Sequence, residues 1–412
     1  MPTIFVLIAA YRDPQLVPTI EDCLARASHP DRLRFGICWQ RGPEEPDLPW
    51  MKDSRFGITA VNWHESRGCC WARAEALNHY EGEDFYLQLD SHHRFVSGWD
   101  AIALDELQRT GDPRAVLTTY GTPFDPERPE ERSWTPMQMN FDRFTEDGIP
   151  LFRPGELHEW RTRSSPARAR FLSGHFVFAP AAFARDVPSD PEIYFTGDEI
   201  TLTVRAFTHG YNLYHPSQIV VWHEYSREYR PHKHWTDHTA GNRVPIEWHV
   251  LDGASRERVQ RFLAAPEAGP YGVGTARTLA DYENFAGLSM KSRRAQDYTR
   301  AGFEPPNPAA PVRWAEEIRS YTLELTVERQ QLPEEVDDYR FWYVGIHDES
   351  GQELFRQDVE GEELADVLRG ADGYARVVRT FESDRVPVSW TIWPVSDSRG
   401  WLERIDGPVQ IP

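Results

Sequence analysis

Asp90-Ser91-His92 sets a carboxylate and an imidazole two residues apart at the end of an apolar run, residues 85–89. In extended backbone, positions i and i+2 face the same side. An oxygen and a ring nitrogen so placed can hold one divalent cation without rearranging the chain. The same tripeptide also suits a hydrogen-bonded turn at a strand end. His223 closes a second apolar run, residues 219–222, and could bring a third ligand from a neighbouring element. His232, His234 and His238 follow in a stretch carrying Pro231 and Lys233, which reads as a solvated loop. Asp198 and Glu199 come directly after Gly197, where a helical pattern begins. Acidic residues there complement the helix dipole; they could equally orient a hydroxyl group or an attacking nucleophile.

Such groups need rigid supports. Residues 3–10 read as a strand buried on both faces, and residues 14–27 as a helix with Leu16, Ile20 and Leu24 at fourth positions. Strands follow at 34–40 and 58–62, a helix at 70–80, and a strand at 84–89 that leads into Asp90. This β-α-β-β-α-β order predicts a mostly parallel, helix-flanked sheet whose ligands bind beyond the carboxyl ends of the strands. Residues 121–170, rich in Pro, Gly and charge, read as loops with little regular core and carry the basic stretch Arg161, Arg163, Arg168 and Arg170. The sheet resumes at 171–178, and a helix covers 197–209 and stops at Gly210. Residues 256–263 and 278–285 are helical again, and 302–311 have linker composition. Alternating runs at 321–327, 341–346, 374–378 and 386–393 predict a small β-sandwich, with Pro387 placing the last run at a sheet edge. The expected domains are 1–250 (catalytic), 251–305 (its helical extension) and 306–412 (β-rich).

The chain has 412 residues, and its 45 Lys+Arg against 65 Asp+Glu give a net charge of −20. That field argues against nucleic acid or an anionic membrane surface as a partner, so an anionic ligand must meet a local cation. The four cysteines, with Cys69 and Cys70 adjacent, have the spacing of neither a disulfide framework nor a zinc ribbon. No apolar run approaches the length of a membrane span. The expectation is a protein of a reducing compartment, the cytoplasm.

Several stretches occur in a telling order: Ile4-Phe5-Val6 with Ala10-Tyr11-Arg12-Asp13-Pro14, then Arg67-Gly68 with Ala72-Arg73, then Gln88 to His92 with Gly98-Trp99-Asp100. Phe195-Thr196-Gly197-Asp198-Glu199, Trp222-His223-Glu224-Tyr225 and Tyr271-Gly272-Val273-Gly274 follow. Together, over residues 3–292, they resemble the GlcNAc-type glycosyltransferase family. Its best-known members are cytosolic enzymes that add α-linked N-acetylglucosamine to a hydroxyproline of a ubiquitin-ligase adaptor. A more distant likeness is to mucin-type polypeptide GalNAc-transferases, which share an Asp-x-His metal motif.

The resemblance implies an α/β GT-A fold, a UDP-sugar donor such as UDP-GlcNAc, and a Mn²⁺ or Mg²⁺ ion held by Asp90, His92 and His223. It puts Ala10, Tyr11, Arg12, Arg73, Asp90, Ser91, Gly174 and His175 around the donor, and Asp198 and Glu199 beside the sugar as catalytic groups. The implied reaction is retaining transfer to a hydroxyl acceptor on a peptide, protein or small molecule. The same residues would also serve a metal-dependent hydrolase or a non-catalytic UDP-sugar or glycan-binding module.

Overall fold

In the first strand, β1 (Ile4–Tyr11), Ile4, Val6 and Ile8 pack into one core and Phe5 and Leu7 into another. Alternation along a strand places these two sets on opposite faces, so the sheet is covered on both sides. Each such side chain contributes about 2 kcal/mol by leaving water. The computed structural model describes residues 2–226, 230–308, 319–333, 335–370, 373–383 and 385–410. It divides into two units, Met1–Ala310 and Pro311–Pro412. The end of the expected linker, residues 309–311, lies outside the described residues.

The first unit continues with α1 (Leu16–Arg26), β2 (Leu33–Arg41), β3 (Phe56–Asn62), α2 (Cys69–Leu77), β4 (Phe85–Asp90), β5 (His93–Phe95) and α3 (Trp99–Arg109). Then come β6 (Ala115–Thr118), β7 (Thr122–Pro123), β8 (Met137–Phe144), β9 (Pro150–Glu156), β10 (Ala167–Arg168), β11 (Phe176–Pro180) and α4 (Ala182–Asp186). The rest is α5 (Asp198–Thr208), β12 (Asn212–His215), β13 (Val221–His223), α6 (His234–Asp237), α7 (Trp248–Ala264) and α8 (Leu279–Ala286), followed by short elements to residue 300.

Eight strands form one sheet in the order β10-β12-β6-β11-β4-β1-β2-β3. The run β4-β1-β2-β3 is parallel, and β11 is antiparallel to both β4 and β6. This mixed, mostly parallel, helix-flanked sheet is the GT-A architecture that the resemblance implies. Leu16 and Ile20 of α1 and Trp99 and Ala103 of α3 fill one face; Ala72 and Ala76 of α2 and Leu202 and Ala206 of α5 fill the other. Trp99 Nε1 donates to the Cys23 carbonyl (2.9 Å), and Asp100 accepts from the Ser28 and His29 amides (2.7 and 2.9 Å). Those bonds explain the Trp99-Asp100 pair structurally. A second sheet, β5-β13-β7, stands beyond the carboxyl end of β4 and pairs His223 directly with His93.

Residues 121–170 depart from the expected loops. β8 and β9 form an antiparallel hairpin, and Met139, Phe141, Phe144 and Ile149 join a core with Ile200, Val204, Val259 and Tyr282. Arg170, the last of the basic stretch, is buried and donates to the Phe303 carbonyl (3.1 Å), so its cation is packed inside and not offered to solvent. The strand expected at 171–178 starts only at Phe176. Before it, the Leu172 and Ser173 amides bond the side chains of Thr203 and Thr118 (both 2.8 Å) and leave the sheet ladder.

In the second unit, Arg319–Glu328 pairs with Tyr374–Ser383, and a six-stranded sheet is built around Tyr339–His347 and Ser389–Ser396. Leu323, Leu325 and Val377 from the first pair share one core with Trp342, Val344, Ile346 and Ile392 from the other sheet. The last long strand is central, not at an edge: Ser389–Ser396 has Tyr339–His347 on one side and Ile405–Pro408 and Gly400–Trp401 on the other. Pro387 precedes it and withdraws no ladder bond. Among the described residues, no helix is long and apolar enough to cross a membrane.

Candidate functional site

A cavity of about 820 Å³ opens beyond the carboxyl ends of β1 and β4. Asp90 ends β4, His92 lies in the turn to β5, and β13 delivers His223 from the second sheet. Asp90 Oδ2 is 3.7 Å from His92 Nε2 and 3.7 Å from His223 Nε2, beyond hydrogen-bond reach. One ligand atom from each of the three lies within 4.8 Å of the others. Ligands about 2.0–2.2 Å from a shared ion stand about 3–4 Å apart, so this spacing fits a single cation with mixed oxygen and imidazole donors. Both His223 nitrogens are buried and lack a hydrogen-bond partner among the described residues. Burial pushes the His223 pKa well below the usual imidazole range, leaving a neutral ring with a lone pair for ligation.

The surroundings hold this corner in place. His92 Nδ1 is 2.8 Å from Asp13 Oδ2, and Ser91 Oγ donates to the same oxygen (2.6 Å). A carboxylate can only accept, so Nδ1 carries the proton and Nε2 is left to face the cavity. Burial raises the Asp13 pKa, but the bonds from His92 and Ser91 outweigh it and hold the carboxyl below its ordinary range. Arg73, buried in α2, donates to Asp90 Oδ1 (3.1 Å) and Asp198 Oδ2 (2.5 Å). Burial disfavours an ionised Asp90, yet His223 and Arg73 beside it hold its pKa well below the usual value. Arg73 thus joins the Asp-Ser-His corner to the start of α5.

At that helix start, Glu199 Oε1 accepts from the Gly174 amide (2.9 Å) and Oε2 from the Tyr120 hydroxyl (2.7 Å). Burial pushes its pKa up to about 7. A Cβ on Gly174 would stand 3.0 Å from Asp198 Oδ2 and 3.4 Å from the Arg73 guanidinium, so glycine allows this close approach. His175 Nε2 accepts from the Gly121 amide (3.0 Å), and its ring stacks on Tyr120.

The first strand's end is arranged differently. Tyr11 lines the cavity while Ala10 and Arg12 do not. Tyr11 donates to Asp237 (3.1 Å) and packs its ring 5.0 Å from His234. Arg12, at φ +46°, pairs with Glu44 and Asp237 and lies over Trp63. His234 and His238, expected in a solvated loop, are buried and stack on each other at 3.6 Å. Arg73, Asp90, Ser91, Gly174, His175, Asp198 and Glu199 all line the cavity.

Three neighbours of the site were not singled out by sequence: Asp13, His93 and Tyr120. His93 Nδ1 lies 3.0 Å from the Asp90 carbonyl oxygen, which fixes the proton there; Nε2 is buried and unpartnered. His93, His175 and His223 form a second group with ligand atoms within 4.8 Å. The adjacent His92-His93 pair was the available signal for His93: both rings flank His223, at 4.8 and 4.7 Å, because the turn after β4 brings them to the same side.

Residues 3–54 and 47–292 match the family model described as Glycosyltransferase (GlcNAc). No curated protein matches the chain significantly. Solved structures with a similar fold include GalNAc-T7 with UDP, GalNAc and Mn²⁺, at 12% identity and TM-score 0.45, covering 69% of this chain and 54% of that one. S. aureus TarS 1-349 in complex with UDP is 14% identical, with TM-score 0.36 over 64% of this chain and 72% of that one. The same TarS fragment with UDP-GlcNAc gives 12% and 0.38 over 63% and 72%. The chain therefore spans about half the length of the GalNAc-T7 chain it matches.

Proposed function

Because the chain belongs to the glycosyltransferase (GlcNAc) family, we propose that it is a retaining, metal-dependent enzyme that moves GlcNAc from UDP-GlcNAc to a hydroxyl group of a peptide or protein. The observation that carries this reading is the convergence of Asp90 Oδ2, His92 Nε2 and His223 Nε2 from two separate sheets onto one point of the cavity. A bound Mn²⁺ or Mg²⁺ there supplies positive charge for the diphosphate leaving group of the donor. The free thiols, three of them buried, fit a reducing compartment, and we assign the enzyme to the cytoplasm.

This chain's own residues then divide the work. Asp13 fixes the tautomer and direction of His92. Arg73 keeps Asp90 ionised and positions Asp198. Tyr11 offers its ring to the uracil base. Glu199, bonded through both oxygens, holds Gly174 and Tyr120 as the wall beside the sugar, while Asp198 orients a sugar hydroxyl. Both Glu199 oxygens are bonded and Asp198 Oδ2 is paired with Arg73, so neither carboxylate is assigned as a covalent nucleophile. The acceptor oxygen bonds to the anomeric carbon on the face from which UDP leaves, the carbon–phosphate oxygen bond breaks, and the acceptor proton passes to the departing phosphate oxygen.

Calorimetry with UDP tests this. Tight UDP binding is expected only with Mn²⁺ present, and Asp90→Ala abolishes that dependence. UDP binding of equal strength with and without the ion overturns the metal-dependent reading.

A further inference from the structure

A second cavity, of about 320 Å³, lies between α5, α7 and the segment 265–272, and shares no lining residue with the catalytic cleft. Its closing segment contains Tyr271-Gly272, one of the stretches that the proposed chemistry leaves without a role. The turn is tight: a Cβ on Gly272 would stand 2.1 Å from the Glu267 carbonyl oxygen and 2.6 Å from the Gly269 amide nitrogen. Only glycine permits that fold over the cavity.

Arg205 of α5 lines this cavity and is 1% exposed. Its guanidinium donates to the backbone carbonyls of Pro188 (2.6 Å) and Pro270 (3.2 Å), while Nε is buried without a partner. Among the described residues, no carboxylate comes within ion-pair distance of it. Asp190, the nearby acid, is already taken by Arg258 Nε (2.7 Å), and Arg258 also pairs with Glu192 (2.5 Å). Burial lowers the Arg205 pKa to about 10, which still leaves it charged at neutral pH. A buried cation without a bonded counter-charge is costly, and a ligand anion would supply one. Arg261, exposed and unpaired among the described residues, adds a second cation at the rim.

We propose that this cavity binds a small organic carboxylate, with its charged end on Arg205 and Arg261 and its apolar body against Ile193, Phe262 and Tyr271. The charge count favours a monoanion. Arg258 is paired with Asp190 and Glu192, which leaves Arg205 as the buried cation without a bonded counter-charge among the described residues, and a single such charge suits a carboxylate better than a phosphate dianion. Apolar walls require an organic body, and a cavity of this size fits a single-ring acid.

The test uses the full chain with sodium benzoate as the probe, and neutral benzamide and inorganic phosphate at matched ionic strength as controls. Calorimetry is expected to show saturable benzoate binding at least tenfold tighter than either control, with a matching rise in thermal midpoint. Arg205→Met is expected to weaken benzoate binding at least tenfold while leaving the ligand-free midpoint equal or higher, because it removes a buried charge. Arg261→Gln is expected to weaken binding about threefold. Benzoate binding no tighter than benzamide or phosphate overturns the proposal. So does an unaltered benzoate affinity in either variant, and the rim variant keeps the test decisive should Arg205→Met fail to fold.

Discussion

Two clusters of ionisable groups line one cleft and are built differently. At the start of α5, Asp198 is bonded by Arg73, and both Glu199 oxygens are occupied by Gly174 and Tyr120. At the end of β4, Asp90 Oδ2 stands 3.7 Å from His92 Nε2 and 3.7 Å from His223 Nε2, beyond hydrogen-bond reach. Glu199 is complete as it stands, which suits a rigid wall. In the second cluster, Asp13 and Arg73 tie down the back side while the front faces the cavity. Buried polar groups are ordinarily satisfied, so the unpartnered His223 nitrogens inside a well-bonded shell support the proposed metal site.

The contrast is broken most severely at the open cluster. His223→Ala removes one of the proposed ligands outright, and Mn²⁺-dependent UDP binding should fall more than about 100-fold, because changes to the groups that merely orient ligands cost about 10–100-fold. Calorimetry of the variant with UDP and Mn²⁺ checks this; a loss below tenfold would place the ion elsewhere. Asp13→Asn touches only the shell behind His92 and should weaken Mn²⁺ about 10–100-fold, read by equilibrium dialysis without any turnover. Because the native Asp13 pKa is depressed, its contribution to stability is present above the ordinary value of 3.8 and fades as pH falls below it. Asp13→Asn should therefore flatten the acid limb of the melting profile.

The saturated cluster should respond to pH in the opposite direction. The native Glu199 pKa is raised from 4.5 to about 7. Its protonated form is the one the fold favours, so stability is full below pH 4.5 and declines as pH rises through 7. That decline amounts to about 3 kcal/mol at most, at 1.36 kcal/mol per unit. Glu199→Gln should remove this slope, as measured by denaturant unfolding at pH 4.5 and pH 8, while changing UDP affinity little. A parallel slope in wild type and variant would show that Glu199 is not the titrating group. The smallest effect belongs to Gly174→Ala, whose added methyl group presses on Asp198 and Arg73. It should cost about 1–3 kcal/mol of stability and lower turnover more than UDP affinity; thermal melts and steady-state kinetics separate the two.

Much of this was legible in the chain. Apolar strand patterns, the i and i+2 spacing of Asp90 and His92, and a histidine closing another strand are local signals. The partners were harder to read. Asp13 and His92 are 79 residues apart, and only the parallel pairing of β1 with β4 brings their segments together. His93 gains its meaning from the cross-strand pairing with His223. The β8–β9 hairpin was hidden because its apolar residues sit within a Pro- and charge-rich region, and their core partners lie on α5, α7 and α8. Pro387 misled because a proline just before a strand costs nothing, whereas one inside it would. His234 and His238 read as solvated because their neighbours are polar, yet Tyr11 and Trp63 cover them.

The most direct measurement is anomalous diffraction at the manganese edge from crystals grown with UDP and Mn²⁺. The account predicts one strong peak about 2.0–2.3 Å from Asp90 Oδ2, His92 Nε2 and His223 Nε2. A manganese peak bound away from these three atoms, with UDP in the cleft, would contradict it.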